Sequence, residues 1–369
     1  NKKFIESDWQ VILDKYIALL PRIQSREELN ILFEDMNGEL QTSHAYVLER
    51  GDVHSIHHNS DGYLAAKWQW NNDGYEILKM YIGDSWNNNT RSPLLEQSAN
   101  IKIGEKIVAI DGVNLSEQIT PEQCLRNKGE ESVGLLIQDL QGTFRTVHVK
   151  ALSTWTNLVY RSWVNKNLEY THKKSQNKIG YVHIPNMMSE GFSEFYRYYL
   201  HEHLYDGLII DVRYNGGGHV SELILDQIQR KITGIFKNRF DIPEYYPSET
   251  PQGTMVLLTN EKCGSDGDIF SYMFKKLKLG TIIGKRTWGG VVGIAVRYSL
   301  IDGGITSQPE WALWTKDQKF NIENSGIEPD IEVNITPEDW ENGKDPQLEK
   351  AIEILQEKIK NHVRFETLL

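Results

Sequence analysis

The chain has 369 residues, 39% hydrophobic and 25% charged, so it is long enough for two or three packed domains and ordinary in composition for a globular protein. Lys and Arg number 40 against 51 Asp and Glu, and the formal charge of −11 disfavours a nucleic-acid or anionic-membrane surface. No apolar run approaches the ~20 residues that cross a bilayer, and two cysteines, Cys124 and Cys263, cannot make a disulfide framework.

Residues 8–40 read as helices. Trp9, Ile12, Leu13, Tyr16, Leu19 and Leu20 recur at helical spacing, and Pro21 ends the run. SREE (25–28) predicts a capping box, with Ser25 at the N-cap and Glu28 three residues on. Between 41 and 75 the pattern turns strand-like, in AYVLE and YLAAKWQW. SANIKIGEKIVAIDGVNL (98–115) predicts a strand, a tight turn at Asp111-Gly112 and a second short strand. TPEQ (120–123) opens a short helix with Thr120 as its cap and Pro121 at the first position, and the strands SVGLLIQDL and FRTVHVKAL follow. The GEKIVAIDG hairpin before a short helix resembles a PDZ domain, a fold that binds extended peptides along a sheet edge.

From 153 onward, short apolar runs alternate with helical patterns. KIGYVHI, DGLIIDVR, TMVLLTN and TIIGKRT read as strands covered on both faces. SELILDQIQRK, DIFSYMFKKLKL and a last amphipathic stretch from Gln347 to about Lys360 read as helices. The expected fold is therefore a multidomain α/β and α+β chain. It has a helical segment over 1–60, a PDZ-like β domain over 61–152 and a layered α/β domain over 153–369 that resembles the crotonase and ClpP folds.

Four stretches bear chemistry. RYNGGGHV (213–220) lies between a strand and a helix, where glycines turn backbone N–H groups outward. It lacks the Lys-Ser/Thr of a phosphate-binding loop, so an oxyanion-binding turn is preferred over a phosphate cradle or a plain tight turn. In CGSDGD (263–268), Ser265 stands between a strand and a helix, next to unpaired N–H donors. It is a candidate nucleophile, with a simple helix cap as the alternative. The lipase-type G-x-S-x-G is absent because position 263 is Cys, which reads as a buried, inert thiol. In ELQTSHAYV (39–47), His44 is a candidate base, although it is one of 11 histidines. In FNIENSGIEPDIEV (320–333), Glu323 is a candidate for orienting an imidazole, or an ordinary surface carboxylate. HEH (201–203) lacks a third ligand at regular spacing, so no metal site is expected.

Taken together, SHAY, DVRYNGGG, TNEKCGSDGDIFSY, GKRTWGGVVGI, ITSQPEW and IENSGIEPD resemble the C-terminal half of the tricorn proteases, within the tail-specific, C-terminal-processing serine peptidases. The resemblance covers nearly the whole chain. It implies Ser265 as nucleophile, His44 as general base, Ser43 and Glu323 as the rest of a tetrad, and the N–H groups of Gly218 and Asp266 as the oxyanion hole. It implies no metal or organic cofactor, peptide substrates, and a site in a cleft between domains. One departure stands out. An acidic residue of that family that favours basic side chains falls here on Phe236, so apolar or aromatic residues are expected before the cleaved bond; Asp241 lies close by. The resemblance also implies missing N-terminal domains, which in tricorn proteases are β-propellers, and a homo-oligomer. The chain starts at Asn1 with no leader pattern, so a fragment or processed form is expected. A cytoplasmic location is implied, with a periplasmic or secreted one following if a leader has been removed. The competing readings are a catalytically inactive peptide- or ligand-binding protein on the same fold, and a crotonase-type acyl-CoA enzyme.

Overall fold

The computed structural model describes residues 8–48, 60–84, 91–237, 239–240, 243–295, 299–307, 309–316 and 322–360. Its contacts divide the chain into two units, residues 1–54 with 168–369, and residues 55–167. The helices expected as a domain over 1–60 thus group with the C-terminal layers.

In the first unit, α1 (Trp9–Ile17) and α2 (Arg26–Gly38) meet through Ile12, Tyr16 and Leu32. Ser25 Oγ accepts the Glu28 N–H at 3.2 Å, but the Glu28 carboxylate takes the Gln24 N–H at 2.7 Å rather than that of the cap. The predicted capping box is therefore half formed. After α2 the chain continues through 39–46 into β1 (Val47–Leu48).

The second unit is an antiparallel sheet of β2 (Ala66–Trp70), β3 (Tyr75–Met80), β4 (Lys106–Ile110), β5 (Val113–Asn114), β6 (Ser132–Gln138) and β7 (Phe144–Lys150). Strand order is β2-β3-β4-β6-β7, with β5 on β4. Asp111 and Gly112 both take positive φ, 49° and 79°, the mirror-image turn that matches strand twist. Helix α3 (Pro121–Cys124) carries a complete capping box from Thr120 and Gln123. Burial alternates along β6, placing Val133, Leu135 and Ile137 inside. Helix α4 (Thr156–Ser175) follows; its buried positions mix Leu158 and Val164 with Arg161, Asn167 and Thr171, so no apolar stripe reveals it in the sequence.

The rest of the first unit is layered. Its sheet is wholly parallel, ordered β17-β13-β12-β9-β8. In chain order the elements are β8 (Ile179–His183), α5 (Ser189–Glu202), β9 (Gly207–Asp211), α6 (Ser221–Ile228), the hairpin β10 (Gly234–Lys237) with β11 (Pro243–Tyr246), and β12 (Thr254–Thr259). Then come α7 (Asp266–Lys276), β13 (Gly280–Gly284), the short strands β14 (Gly293–Ile294), β15 (Ile305–Thr306) and β16 (Pro309–Trp311), β17 (Ile331–Glu332), α8 (Pro337–Glu341) and α9 (Pro346–Ile359). Every residue of β8 and β9 is buried, as expected of parallel strands covered on both faces. Val182, Ile210 and Leu257 pack with Phe195, Ile224, Phe270 and Phe274 of α5, α6 and α7. Helix α9 packs on β9, β12 and β13. Strand β1 pairs with β15, which fastens the residues just before it to the C-terminal segment. Among the described residues no helix is long and apolar enough to cross a membrane.

His183 and His203 are buried, and burial holds both imidazoles below their usual pKa. The unfolded chain then binds more protons than the native one from about pH 6.5 downward, so stability falls as pH falls through that window. Each histidine contributes up to about 1.4 kcal/mol per pH unit. Urea midpoints are expected to be lower at pH 5.5 than at pH 7.5; equal midpoints would contradict this account.

Candidate active site

Strand β12 ends at Thr259, and the chain turns through Asn260–Gly264 before α7 begins. Ser265 occupies that junction with φ 57° and ψ −120°, a left-handed conformation that costs a non-glycine residue about 1–3 kcal/mol. Such a turn lifts a serine off the sheet edge, and the geometry is that of a nucleophile elbow without the G-x-S-x-G sequence. Ser265 Oγ makes no capping bond to α7, which removes the cap reading. Cys263 is buried; burial pushes its thiol pKa up, so it is inert, as expected.

The glycine turn after β9 is packed against Ser265. A Cβ on Gly217 would lie 2.5 Å from Ser265 Cβ and 3.1 Å from Oγ. At Gly218, φ is 150° and a Cβ would overlap the Met187 carbonyl. Only glycine fits either position. The turn is fixed by Gly216 N–H to Pro185 O, Gly217 N–H to Asn215 Oδ1 and Met187 N–H to Gly217 O. The Gly218 and Asp266 N–H groups donate no hydrogen bond among the described residues. The Asp266 side chain has a separate task. Its carboxylate, buried, accepts the Ser221 N–H at 3.0 Å and the Ser221 hydroxyl at 2.5 Å. It thereby ties the start of α6 to the start of α7.

His44 enters from the segment between α2 and β1. Its φ is 59°, and its carbonyl accepts the Ser307 hydroxyl at 2.7 Å. Ser43 Oγ lies 2.8 Å from Nδ1. In the tautomer that donates Nδ1–H to Ser43, Nε2 keeps its lone pair, as a base requires. Burial holds the imidazole below its usual pKa, and the nearby Glu323 carboxylate opposes that shift.

Glu323 is buried and gathers donors from two other segments. Oε1 accepts the Ser43 N–H at 2.6 Å and the Thr42 hydroxyl at 3.1 Å. Oε2 accepts the Val291 and Val292 N–H groups at 2.7 and 3.1 Å. The carboxylate therefore reaches Ser43 through its backbone, not its hydroxyl. Thr42 is a partner that sequence reasoning missed; its only signal is its place one residue before Ser43.

No hydrogen bond joins Ser265 to His44 in this structure, but Trp288 packs against both His44 and Gly264, the residue before Ser265. The Trp288 indole lies 5.3 Å from the His44 ring, centroid to centroid, and its Cε3 would be 2.7 Å from a Cβ on Gly264. A recess of about 490 Å³ opens here, lined by Ser43, Arg286, Trp288, Gly290 and Asn324. Ser265 and His44 fall in the same compact unit, whereas a site in a cleft between domains was expected.

Phe236 lies on the β10–β11 hairpin. It is 63% exposed on β10, opposite Glu244 of β11, and its ring contact is with Tyr246 at 5.8 Å. Asp241 lies outside the described residues. In the HEH stretch, His203 Nδ1 is 2.7 Å from the Tyr199 carbonyl. Among the described residues no cluster of His, Cys, Asp and Glu is arranged to hold a metal ion.

Residues 178–333 match peptidase family S41, 62–154 the tricorn protease PDZ domain, and 1–38 the tricorn protease C1 domain. A tricorn protease homolog of Saccharolobus solfataricus is 44% identical over 349 residues, covering 94% of this chain and 32% of its own length. The tricorn protease of Thermoplasma volcanium is 41% identical over 344 residues, covering 93% of this chain and 33% of its own. A solved tricorn protease structure superposes with a TM-score of 0.87 at 39% identity, over 95% of this chain and 34% of that one. Mature CPAF shares the fold at a TM-score of 0.50 and 16% identity, over 98% of this chain and 93% of that one. The chain thus spans about a third of the length of these tricorn relatives.

Proposed function

We propose that this chain, which belongs to the tricorn-type S41 peptidases, hydrolyses peptide bonds through an acyl-enzyme on Ser265 with His44 as general base. The observation that carries the reading is the junction before α7. An unengaged serine hydroxyl there sits on strained backbone against a glycine turn, with two undonated N–H groups beside it. Ser265 Oγ attacks the carbonyl carbon as His44 Nε2 takes its proton. The carbonyl oxygen, now negative, accepts hydrogen bonds from Gly218 N–H and Asp266 N–H, each worth about 2.7–4 kcal/mol of barrier. His44 returns the proton to the leaving amine, and water repeats the sequence on the acyl-enzyme. Ser43, with Glu323 and Thr42 holding its backbone and neighbourhood, fixes the imidazole tautomer. The Ser265–His44 hydrogen bond is absent here, and catalytic bonds of this kind often tighten only with substrate bound. A lowered His44 pKa keeps the base neutral near pH 7, so kcat/KM falls as pH drops through a value below 6.5.

The PDZ-like unit supplies an edge for extended peptides, which suits a polypeptide substrate. Further domains belong to the proposal, since the matched tricorn relatives are about three times as long, and a homo-oligomeric state enters it from the family resemblance alone. Phe236 cannot form an ion pair with a basic side chain, which leaves only a cation–π contact. A mixed peptide library is therefore expected to be cut after apolar or aromatic residues in preference to Lys and Arg. Equal or faster cleavage after Lys and Arg would overturn the role given to Phe236. No cleavage by folded protein would favour a binding protein instead.

A further inference from the structure

We infer that Trp288 is a positioning residue for the base: its indole sets the orientation of the His44 imidazole and keeps water from its face. The inference rests on the peptidase reading of Ser265 and His44, and it assigns a task to a residue that neither the tetrad nor the oxyanion turn includes.

Three observations carry it. First, the backbone around Trp288 is fixed from both sides of the site. Trp288 N–H donates to Cys263 O at 2.9 Å, and Gly289 N–H to Asp268 Oδ1 at 2.9 Å, both on the nucleophile's side. Asn324 N–H donates to Gly289 O at 2.7 Å, and Thr287 exchanges bonds with Ile327, both on the Glu323 side. Second, the indole packs closely against two glycines. A Cβ on Gly264 would come within 2.7 Å of it, and one on Gly290 would overlap it. Gly264 immediately precedes Ser265, so the ring spans from the nucleophile's neighbour to the base. Third, the indole meets the imidazole edge to face, at 63° between planes, a favourable aromatic geometry. Tyr46 makes a second such contact at 6.0 Å and 62°.

The side chain is 43% exposed, so it does not serve the core. Its ring plane restricts one rotation of the imidazole, while the Ser43 bond to Nδ1 restricts the other. The ionisable groups around His44 are the Glu323 carboxylate, which favours the imidazolium, the Tyr46 phenol, and Arg286, which lines the same recess as Ser43 and Trp288. Against these, the apolar indole face supplies desolvation, which favours the neutral base.

The test compares the pH dependence of kcat/KM for one peptide in wild type, Trp288→Phe, Trp288→Leu, Gly290→Ala and His44→Ala. NMR titration of the His44 imidazole is run in parallel and needs no turnover. Trp288→Leu is expected to lose about 100-fold in kcat, the scale of an ångström-sized misplacement, with KM nearly unchanged. Its acidic limb and its imidazole titration both move to higher pH, because water then reaches the ring. Trp288→Phe restores most of both. Gly290→Ala, which pushes the indole from its far side without removing it, reproduces the loss if Trp288→Leu fails to fold. If wild type shows a His44-dependent acidic limb and the Trp288 and Gly290 variants keep it in place with kcat within twofold, the positioning role is overturned and the peptidase reading stands. If wild type neither cuts the peptide nor depends on His44, both fall together.

Discussion

Replacing Ser265 by Ala is expected to lower kcat for peptide hydrolysis by about 10⁶-fold, the scale seen when a serine nucleophile is removed from an intact triad. The same protein should no longer react with a fluorophosphonate probe, while wild type is modified at Ser265. The size follows from how the parts depend on each other. Without Oγ, the neutral imidazole of His44 has no proton to take, and the N–H groups of Gly218 and Asp266 face a carbonyl that never becomes an oxyanion. Adding His44→Ala to Ser265→Ala is therefore expected to cost almost nothing more. Glu323→Gln should do less than either single change, because one amide oxygen still accepts from one of the two donor pairs, while its –NH2 faces the donors of the other pair and loosens the Ser43 segment without removing a reacting group. Activity of Ser265→Ala within tenfold of wild type would end the acyl-enzyme account.

The second large effect concerns stability. Arg213 is fully buried, and its guanidinium is shared among Asp211, Asp345 and Gln347. Nη2 lies 2.6 Å from Asp211 Oδ2, Nη1 lies 2.9 Å from Asp345, and the Tyr181 hydroxyl donates to Asp211 at 2.8 Å. Burial opposes the charge on Asp211, but Arg213 more than offsets it and holds the carboxyl below the usual range. Arg213→Leu leaves that carboxylate buried with its main countercharge gone, at a cost of about 3–5 kcal/mol. Against a total stability of about 5–15 kcal/mol this is severe, and Tm is expected to fall by about 10 °C. Pairing it with Asp211→Leu should recover much of the loss, because the fully buried carboxylate is then gone and the charge left without the guanidinium is that of Asp345, which is partly exposed and also accepts the Leu348 N–H. A thermal melt of Arg213→Leu within 2 °C of wild type would refute this account. Activity is expected to suffer as well, since Arg213 leads directly into the Tyr214–Gly218 turn.

The parallel strands were legible because they are short continuous apolar runs bounded by turn residues, and Asp111-Gly112 because few other pairs tolerate that turn. Helix α5 carries Phe195 and Tyr199 at helical spacing but was not among the expected helices, because its run of aromatics resembles a strand. Helix α4 has little amphipathic pattern to read. At the site, Ser265 and the glycine run announced themselves through local backbone demands. Thr42 and Trp288 did not. Their roles come from contacts across more than 200 residues of chain in one case and from close packing on two glycines in the other. The cleft between domains was expected because base and nucleophile lie far apart in sequence. The β1–β15 pairing is what folds that distance into one unit.

Glu323 holds the residues beside the base to a loop that is synthesised roughly 250 positions later. On the peptidase reading, a ribosome-bound chain lacking that loop already has the glycine turn packed against Ser265 but has a histidine whose neighbours Thr42 and Ser43 are not yet held. Cutting power is then withheld until the segment carrying Val291, Val292 and Glu323 has closed onto Thr42 and Ser43.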